Sequence, residues 1–370
     1  MALSRRRGGV LPTTVAPTIE AATRGGDLTV HVLAPAEDVR REPPAGDPPA
    51  HPTFAAQTTA HFAPQRVLEL PGGRVLGPHR AVITRDGALL HEVVRYFGAA
   101  RPLEHPIFLH PFAPPAIDQP GTVGLLASRG DGNYYHFLHD VVPRLALLDR
   151  CPEAGKPDVW YVPRRTRFQR ELLELLDLPE NRLVDAGAVP HLRAERLLVP
   201  TLPDLDLNHP AWATQYLRDR LLPAGARPIA GRRIYVTRGA APHTRILLDE
   251  AEVLASLDRF GFERIDPGAM SVVEQIRAFA EAELILAPHG AALANLAFAG
   301  AGATVVELFA PDFVQGCYWK LATTVPGLRY RYLVGEGRAG RFREGLGVSS
   351  DIRIDVRSLN SVIGRVVRSR

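Results

Sequence analysis

From Val123 onward, the sequence alternates between short apolar runs and amphipathic segments of helical length. The runs VGLLAS, DVWYVP, RIYVTR, ELILAP and TVVELF are typical of buried strands. Between them, NYYHFLHDVVPRLALLDR, RFQRELLELLDL and SVVEQIRAFAEA carry apolar residues at spacings of three and four. Apolar strands that alternate with amphipathic helices indicate parallel sheets covered by helices on both faces. The pattern therefore predicts an α/β fold.

The Pro- and Gly-rich stretch LLPAGARPIAG divides this alternation into two halves and resembles a domain linker. We therefore predict two Rossmann-like domains that face a cleft, over residues 123–228 and 229–345, followed by a C-terminal helix within 346–370. Short extended segments such as RAVITR predict a small β-rich lead-in over 61–122. Residues 1–60 are rich in Pro, Ala and Gly and have few aromatics, so we predict a flexible extension, of which residues 1 to about 50 can be deleted without loss of the fold.

Composition excludes several classes of protein. The 370 residues contain 44 Lys and Arg against 40 Asp and Glu, and the Arg residues are interspersed with acids, so no nucleic-acid partner is predicted. Cys151 and Cys317 stand far apart, which indicates neither a disulfide framework nor a thiolate zinc site. No apolar run approaches the roughly 20 residues of a membrane span. The chain is predicted to be cytoplasmic, or peripheral to a membrane.

The first candidate site follows the apolar run ELILAP. His289 and Gly290 lie between this strand and a predicted helix that begins near Ala291. A helix N-terminus offers free N–H groups to an anion, and an imidazole N–H can donate to a phosphate oxygen. The alternative is that the glycine only allows a tight turn between strand and helix. Asn295 lies on the same predicted helix and is a further donor-binding candidate with a structural alternative.

The second candidate is the pair of His136 and Asp140 in NYYHFLHDVVPRL. Asn133 is a plausible N-cap, and residues four apart share one face of a helix. A histidine and a carboxylate on the first turns after a strand are suited to general acid–base chemistry. Asp140 also precedes Arg144 by four residues, so the alternative is a surface ion pair of little energetic consequence.

Two further candidates come from the second half. Arg238 ends the strand RIYVTR and Arg245 follows in the next loop, and two guanidinium groups around such a loop could hold a diphosphate. Asp249 and Glu250 open the next helix, where acids favour the helix dipole without any function. Glu307 lies in the apolar strand TVVELF and needs a partner, either ribose hydroxyl groups or a structural salt bridge.

Other motifs are missing or weak. No G-x-G-x-x-G follows the first strand of either half, which argues against a nicotinamide oxidoreductase, and neither a Walker A motif nor G-x-S-x-G occurs. The D-x-D of Asp204 and Asp206 lies in the Pro-broken stretch TLPDLDLNHP. We therefore predict no metal there.

Taken together, four motifs resemble glycosyltransferase family 61. They are N-Y-Y-H-F-L-H-D-V-V-P-R-L, R-I-Y-V-T-R with the later Arg245 and Asp249-Glu250, E-Q-I-R-A-F-A-E-A, and H-G-A-A-L-A-N with T-V-V-E-L. The resemblance covers roughly residues 65–345. It departs from the family pattern at Ala292 and Ala294, where Gly and Thr are usual, and at Asp249, where Asn is frequent.

The resemblance implies a GT-B fold, an inverting mechanism and a nucleotide-sugar donor, usually a UDP-sugar. It implies that His289 and Gly290 receive the diphosphate, and that Asp140 is the base with His136 beside it, or the reverse. It also implies a glycan or lipid-linked acceptor in capsular or cell-surface polysaccharide synthesis. Because Arg238, Arg245 and helix N–H groups can neutralise a diphosphate, we expect neither a metal nor another cofactor. The alternative is a non-catalytic protein of the same fold that binds sugar nucleotides or glycans.

Overall fold

A computed structural model describes residues 10–25, 28–97, 101–204, 206–239, 245–336 and 351–368. The chain divides into two compact units. The first unit comprises Met1–Glu37 and Phe62–Asp206, and the second comprises Asp38–His61 and Leu207–Arg370.

The strands of the described residues are β1 (Thr14–Ala16), β2 (Thr29–Ala34), β3 (Glu37–Arg40), β4 (Ala45–Asp47), β5 (Thr59–Phe62), β6 (Gln65–Pro71), β7 (Arg74–Leu76), β8 (Ala81–Ile83), β9 (Ala88–Leu90), β10 (Ile117–Leu125), β11 (Val159–Val162), β12 (Leu183–Asp185), β13 (His191–Pro200), β14 (Arg233–Val236), β15 (Phe262–Ile265), β16 (Leu284–Pro288), β17 (Thr304–Phe309) and β18 (Arg329–Val334). The α-helices are α1 (Ile19–Thr23), α2 (Pro52–Ala55), α3 (His91–Val94), α4 (Tyr134–His136), α5 (Arg144–Asp149), α6 (Arg167–Leu175), α7 (Ala211–Leu221), α8 (Glu250–Asp258), α9 (Val272–Glu281), α10 (Cys317–Ala322) and α11 (Val356–Arg368). Shorter 3₁₀ segments span Pro102–Glu104, Pro106–Leu109, Pro152–Ala154, Glu180–Arg182 and Ala291–Phe298, and a π-helical turn spans Phe137–Val141.

The first unit is built on one mixed sheet. Its strand order is β1-β9-β8-β7-β13-β10-β11-β12, and β6 pairs with both β13 and β2. The strands β13, β10, β11 and β12 are parallel to one another, whereas β6 and β7 run antiparallel to β13. A loop of seven residues joins the carboxyl end of β10 to Asn133, whose side chain accepts a hydrogen bond from the backbone of Tyr135 and caps the following helical segment.

The second unit is built on a fully parallel sheet in the order β15-β14-β16-β17-β18-β4. Every residue of β16 and β17 is buried, as expected of central strands covered on both faces. In chain order the first five strands read 2-1-3-4-5, so the winding direction reverses between β14 and β16. Ligands of open parallel sheets bind beyond the carboxyl ends of the strands at such a reversal.

Helix α9 of the second unit carries a strong start signal in the sequence. Ser271 caps α9 and forms a capping box with Glu274, and the buried face of this helix includes Ile276 and Phe279. The C-terminal helix α11 packs against the core of the unit through Leu359 and other apolar residues. The predicted C-terminal helix and the predicted α/β fold with parallel sheets are therefore confirmed.

The structure differs from the predicted extension over residues 1–60. The N-terminal nine residues lie outside the described part, but most of the rest is built into the two units. In the first unit, β1 pairs with β9 and β2 pairs with β6. In the second, β4 pairs with β18 and Phe54 of α2 is 1% exposed. The average composition of residues 1–60 did not predict this burial, because their few apolar residues pack against surfaces that distant parts of the chain supply.

The predicted boundaries at residues 122 and 228 also differ from the two units. The lead-in shares one sheet with the strands that follow it, since β6 and β7 pair with β13. The second unit begins at Leu207 and includes α7, from which Arg218 donates to the carbonyl oxygens of Ala297 and Ala299. No described helix is long and apolar enough to cross a membrane.

Candidate active site

His136 and Asp140 are brought together as the sequence predicts. The Nδ1 atom of His136 lies 2.9 Å from Oδ2 of Asp140. The two side chains are 17% and 12% exposed, so the pair lies close to the surface without being fully solvated. A π-helical turn, Phe137–Val141, lies directly after His136 and contains Asp140. Such turns occur mostly as single insertions in α-helices, frequently at functional sites.

The alternative of a surface ion pair between Asp140 and Arg144 is wrong. Arg144 is only 1% exposed, and its guanidinium donates to the carbonyl oxygens of Ala127 and Pro200. Burial lowers the pKa of Arg144, and the charge of Asp140 partly offsets this effect. Arg144 therefore braces the carboxyl end of β13 and the segment after β10 from inside the first unit, whereas Asp140 is hydrogen-bonded to His136.

Phe97 and Arg129 complete the surroundings of His136, and no motif in the sequence points to either residue. The Phe97 ring centroid lies 4.8 Å from that of His136, and the guanidinium carbon of Arg129 lies 4.2 Å above the Phe97 ring. Gly130 has φ +74°, and a Cβ there would lie 3.0 Å from Cδ2 of His136. The imidazole is thus fixed by Asp140 at one nitrogen and by close packing on its ring.

The D-x-D of Asp204 and Asp206 is engaged by protein groups. The Asp206 carboxylate accepts from Arg95, and its backbone N–H donates to Oδ2 of Asp204 at 2.5 Å. Among the residues that the structure describes, no group of three or more His, Cys, Asp or Glu side chains is placed to hold a metal ion.

In the second unit, Arg238 and His289 meet at the reversal between β14 and β16. Arg238 follows β14, and its guanidinium donates to the carbonyl oxygen of His289 at 3.1 Å. Gly290 is extended, with φ 176°, and a Cβ there would lie 2.2 Å from Nη1 of Arg238. The glycine is therefore needed because the arginine passes directly over it, and the predicted tight turn is not the reason.

Arg245 adds a second cation near Arg238. Its guanidinium carbon lies 5.5 Å from the centre of the Phe313 ring. Burial lowers the pKa of Arg238, and the positive charge of Arg245 lowers it further. Both arginines also counteract the rise that burial causes in the pKa of Tyr318. Two neighbouring guanidinium groups that disfavour each other's charge are stabilised when an anion binds beside them.

Glu307 is placed differently from the prediction that it binds a donor hydroxyl group. Its side chain is fully buried, and Oε1 lies 2.5 Å from Nδ1 of His289. The other oxygen, Oε2, accepts a hydrogen bond from the hydroxyl of Tyr330. Glu307 thus has its two oxygens occupied inside the fold and reaches a ligand only through His289. The buried salt bridge proposed as the alternative corresponds to this arrangement.

The segment after Gly290 is a 3₁₀ helix, Ala291–Phe298, where an α-helix was predicted. Asn295 on this segment is 0% exposed, and its amide donates to Oε1 of Gln275 and to the carbonyl oxygen of Ala292. The structure therefore supports the structural alternative for Asn295. The small apolar residues of this 3₁₀ segment are largely buried against α9 and α10.

Glu250 begins α8, as predicted, and has a structural role at the end of β14. Its Oε1 accepts from the hydroxyl groups of Tyr235, at 2.8 Å, and Thr237, at 2.6 Å. Burial raises the pKa of Tyr235, and its hydrogen bond to Glu250 raises this pKa further. Asp249 has a left-handed backbone, with φ 61°, and pairs with Arg353 at 3.2 Å. Both acids thus have structural partners within the second unit.

Comparison with known families gives one match for this chain. The sequence model described as Glycosyltransferase 61 matches residues 134–306. The matched range includes both the His136–Asp140 pair and the Arg238–His289 contact. The match supports assignment of the chain to glycosyltransferase family 61, and this family implies glycosyltransferase activity, with a sugar donor and a glycan acceptor in general terms. A search of curated proteins found no match.

Proposed function

We propose that the chain is an inverting glycosyltransferase that moves a sugar from a nucleotide-sugar to a hydroxyl group of a glycan or lipid-linked acceptor. The first candidate donor is a UDP-sugar. The observation that carries the proposal is the cluster of Arg238, Arg245 and His289 at the strand-order reversal of the second unit. The GT-B arrangement, the role in capsular or cell-surface polysaccharide and the cytoplasmic location stay predictions.

The second unit supplies the chemistry for the leaving diphosphate. As the bond between the sugar C1 and the phosphate oxygen breaks, negative charge accumulates on that oxygen. Guanidinium groups hold phosphate oxygens through paired N–H donors, and charges already fixed in place need no reorganisation during the reaction. Arg238 is fixed over Gly290 by its bond to the His289 carbonyl, and Arg245 lies beside it. These two residues would therefore stabilise the transition state without a metal ion.

The first unit supplies the chemistry for the acceptor. Inversion requires that the acceptor hydroxyl attacks from the side opposite the diphosphate and loses its proton to a base. Because Asp140 occupies Nδ1 of His136, the imidazole has Nε2 left for that proton. We assign His136 as the base and Asp140 as the residue that orients it. The reverse assignment, in which Asp140 is the base, is separated from this one by the variants described in the Discussion.

The test of the donor site combines binding and turnover. Calorimetry with a panel of UDP-, GDP-, dTDP- and CMP-sugars identifies the donor, and release of the nucleotide then measures transfer. Arg245→Lys keeps a charge but loses the paired donors, so donor affinity should fall about tenfold, in line with one charge-assisted hydrogen bond. Arg259→Ala, an exposed arginine at the other end of α8, serves as the control and should leave affinity unchanged.

Two alternatives are separated by the same measurements. Donor binding without release of any nucleotide, over a broad acceptor panel, would favour the non-catalytic binding protein. Binding of NAD(H) in place of sugar nucleotides would favour an oxidoreductase. If Arg245→Lys and the parent protein bind the donor equally, the cluster is not the diphosphate site.

A further inference from the structure

Glu307 is a buried carboxylate whose two oxygens both serve the fold. It lies on β17, and its side chain is 0% exposed. Oε1 is hydrogen-bonded to Nδ1 of His289 at 2.5 Å, and Oε2 accepts a hydrogen bond from the hydroxyl of Tyr330 on the neighbouring strand β18. A buried carboxylate is costly unless donors satisfy it, and breaking such a pair is more costly than never forming it. The arrangement therefore specifies where His289 points.

The rest of the surroundings fix the plane of the same imidazole. The ring of Phe309 stacks on it at 5.4 Å and 29°, the ring of Phe313 meets it edge-to-face at 5.3 Å, and the ring of Tyr318 lies tilted at 5.2 Å. The backbone N–H of His289 donates to the carbonyl oxygen of Leu308 at 2.9 Å, which joins it to β17 as well. Contacts within the second unit thus fix the ring plane, the backbone and the Nδ1 atom of His289.

We propose that Glu307, held by Tyr330, is a positioning residue for the transfer reaction. It holds Nδ1–H of His289 inside the fold, so that Nε2 is the atom that His289 turns toward the nucleotide-sugar, where it donates to a phosphate oxygen when the imidazole carries its second proton. The two nitrogens of a histidine are distinct, and the hydrogen bond at one decides what the other does. This inference rests on the proposed function and deepens it, since it names the contacting atom and assigns roles to two residues that do not touch the donor.

The first experiment compares two replacements of His289. In His289→Gln the terminal amide reaches the place of Nε2, whereas in His289→Asn the shorter amide reaches only the place of Nδ1. We expect His289→Gln to bind the donor within about threefold of the parent, and His289→Asn to bind it about ten- to a hundredfold more weakly, the loss of one hydrogen bond to a charged group. Parental affinity in His289→Asn together with a large loss in His289→Gln would overturn the proposal.

The second experiment asks whether Glu307 acts through His289. Glu307→Gln should raise the donor KM about tenfold with a smaller change in kcat, because the imidazole is no longer held by a charged acceptor. In a His289→Ala background the same change should have no further effect on donor affinity. A merely structural role would lower affinity equally in both backgrounds, and that result would contradict the proposal.

The role of Tyr330 is tested with Tyr330→Phe, and Tyr332→Phe, two residues along the same strand, is the matched control. Tyr332 is also buried, but its hydroxyl donates to the carbonyl oxygen of Pro48. Both Phe variants should lose stability, and only Tyr330→Phe should raise the donor KM. An equal effect of the two variants on the donor KM would count against a role for Tyr330.

A spectroscopic measurement keeps this inference separate from the proposed function. In ¹⁵N-histidine NMR, the His289 signals are identified by their loss in His289→Gln. In the parent protein these signals should show that Nδ1 carries a proton. The Nδ1 signal should shift in Glu307→Gln. If this holds while no sugar nucleotide binds, the proposed function fails and the positioning of His289 stands. If donors bind but Nδ1 of His289 is unaffected by Glu307→Gln, the inference fails and the proposed function stands.

Discussion

The guanidinium of Arg238 lies directly over the backbone of Gly290, at a place where a Cβ atom would come within 2.2 Å of Nη1. The same guanidinium donates to the carbonyl oxygen of His289. Residues 238 and 290 are far apart in the sequence, yet the order of the parallel strands places the ends of β14 and β16 side by side. The contact joins the two residues from which the proposed diphosphate site is built.

Gly290→Ala should therefore weaken donor binding without unfolding the protein. Because Gly290 is extended, alanine meets no backbone strain, and the atom in conflict is the end of a flexible arginine. We expect Arg238 to move away and donor affinity to fall about tenfold, in line with the loss of one charge-assisted hydrogen bond. Calorimetry measures the affinity, and thermal unfolding should change by only a few degrees. Gly25→Ala, where a Cβ meets only a carbonyl oxygen at 3.8 Å, is the control. Unchanged affinity in Gly290→Ala would show that Arg238 does not bind the donor.

Asp140→Asn should reduce turnover and spare donor binding. The amide keeps the size of the side chain but removes the charge that orients His136. A base and its orienting group contribute about 10²–10⁴-fold to rate, so kcat should fall within that range. The kcat of His136→Gln should fall at least as far, since this substitution removes the proposed base itself. Asp177→Asn, an exposed position of the first unit, is the control. If His136→Gln is active while Asp140→Asn is not, Asp140 is the base.

EDTA should leave transfer activity largely intact. Arginine side chains can neutralise a diphosphate, and the D-x-D carboxylate of Asp206 is already bound to Arg95. The measurement is nucleotide release before and after dialysis against EDTA. Complete loss of activity that manganese or magnesium restores would contradict the prediction and would return Asp204 and Asp206 to the list of candidates.

Stability should fall as the pH decreases from 6.5 toward 4, partly because of His105. This residue is 0% exposed, and burial lowers its pKa to about 4. Between that value and the ordinary pKa near 6.5, the unfolded chain binds more protons than the folded one, so stability rises with pH across this window. The contribution is at most about 3 kcal/mol, at 1.36 kcal/mol per pKa unit.

His105→Asn tests this source of pH dependence. Nδ1 of His105 accepts from the backbone of Ile107 at 3.1 Å, and an asparagine oxygen can accept the same bond without titrating. Urea unfolding at pH 7.5 and pH 5 should show a smaller difference in the variant than in the parent. If the free energy of unfolding changes equally between the two pH values in both proteins, groups other than His105 cause the pH dependence.

Phe54→Ala should destabilise the second unit strongly. Phe54 is 1% exposed, and its ring lies 4.5 Å from Tyr332 and 5.6 Å from Trp319. Truncation of a buried phenylalanine costs about 3–5 kcal/mol. Leu109→Ala, at a residue 85% exposed, is the control and should cost almost nothing. An equally small loss in Phe54→Ala would mean that the N-terminal segment is dispensable, as composition alone suggests.

Local sequence patterns determined much of this protein. The alternation of apolar runs with amphipathic segments predicted most of the strands and helices from β10 to α11, because this periodicity depends only on neighbouring residues. The contact between His136 and Asp140 also followed from the sequence, since residues four apart meet on any helical turn.

Only the tertiary structure decided which residues meet across strands. The pairing of Glu307 with His289 and the passage of Arg238 over Gly290 depend on strand order, which periodicity does not specify. The same holds for Phe54, which lies in a Pro-rich stretch and finds its partners on elements far along the chain. Average composition describes a segment in isolation, whereas burial depends on the surface that distant segments supply.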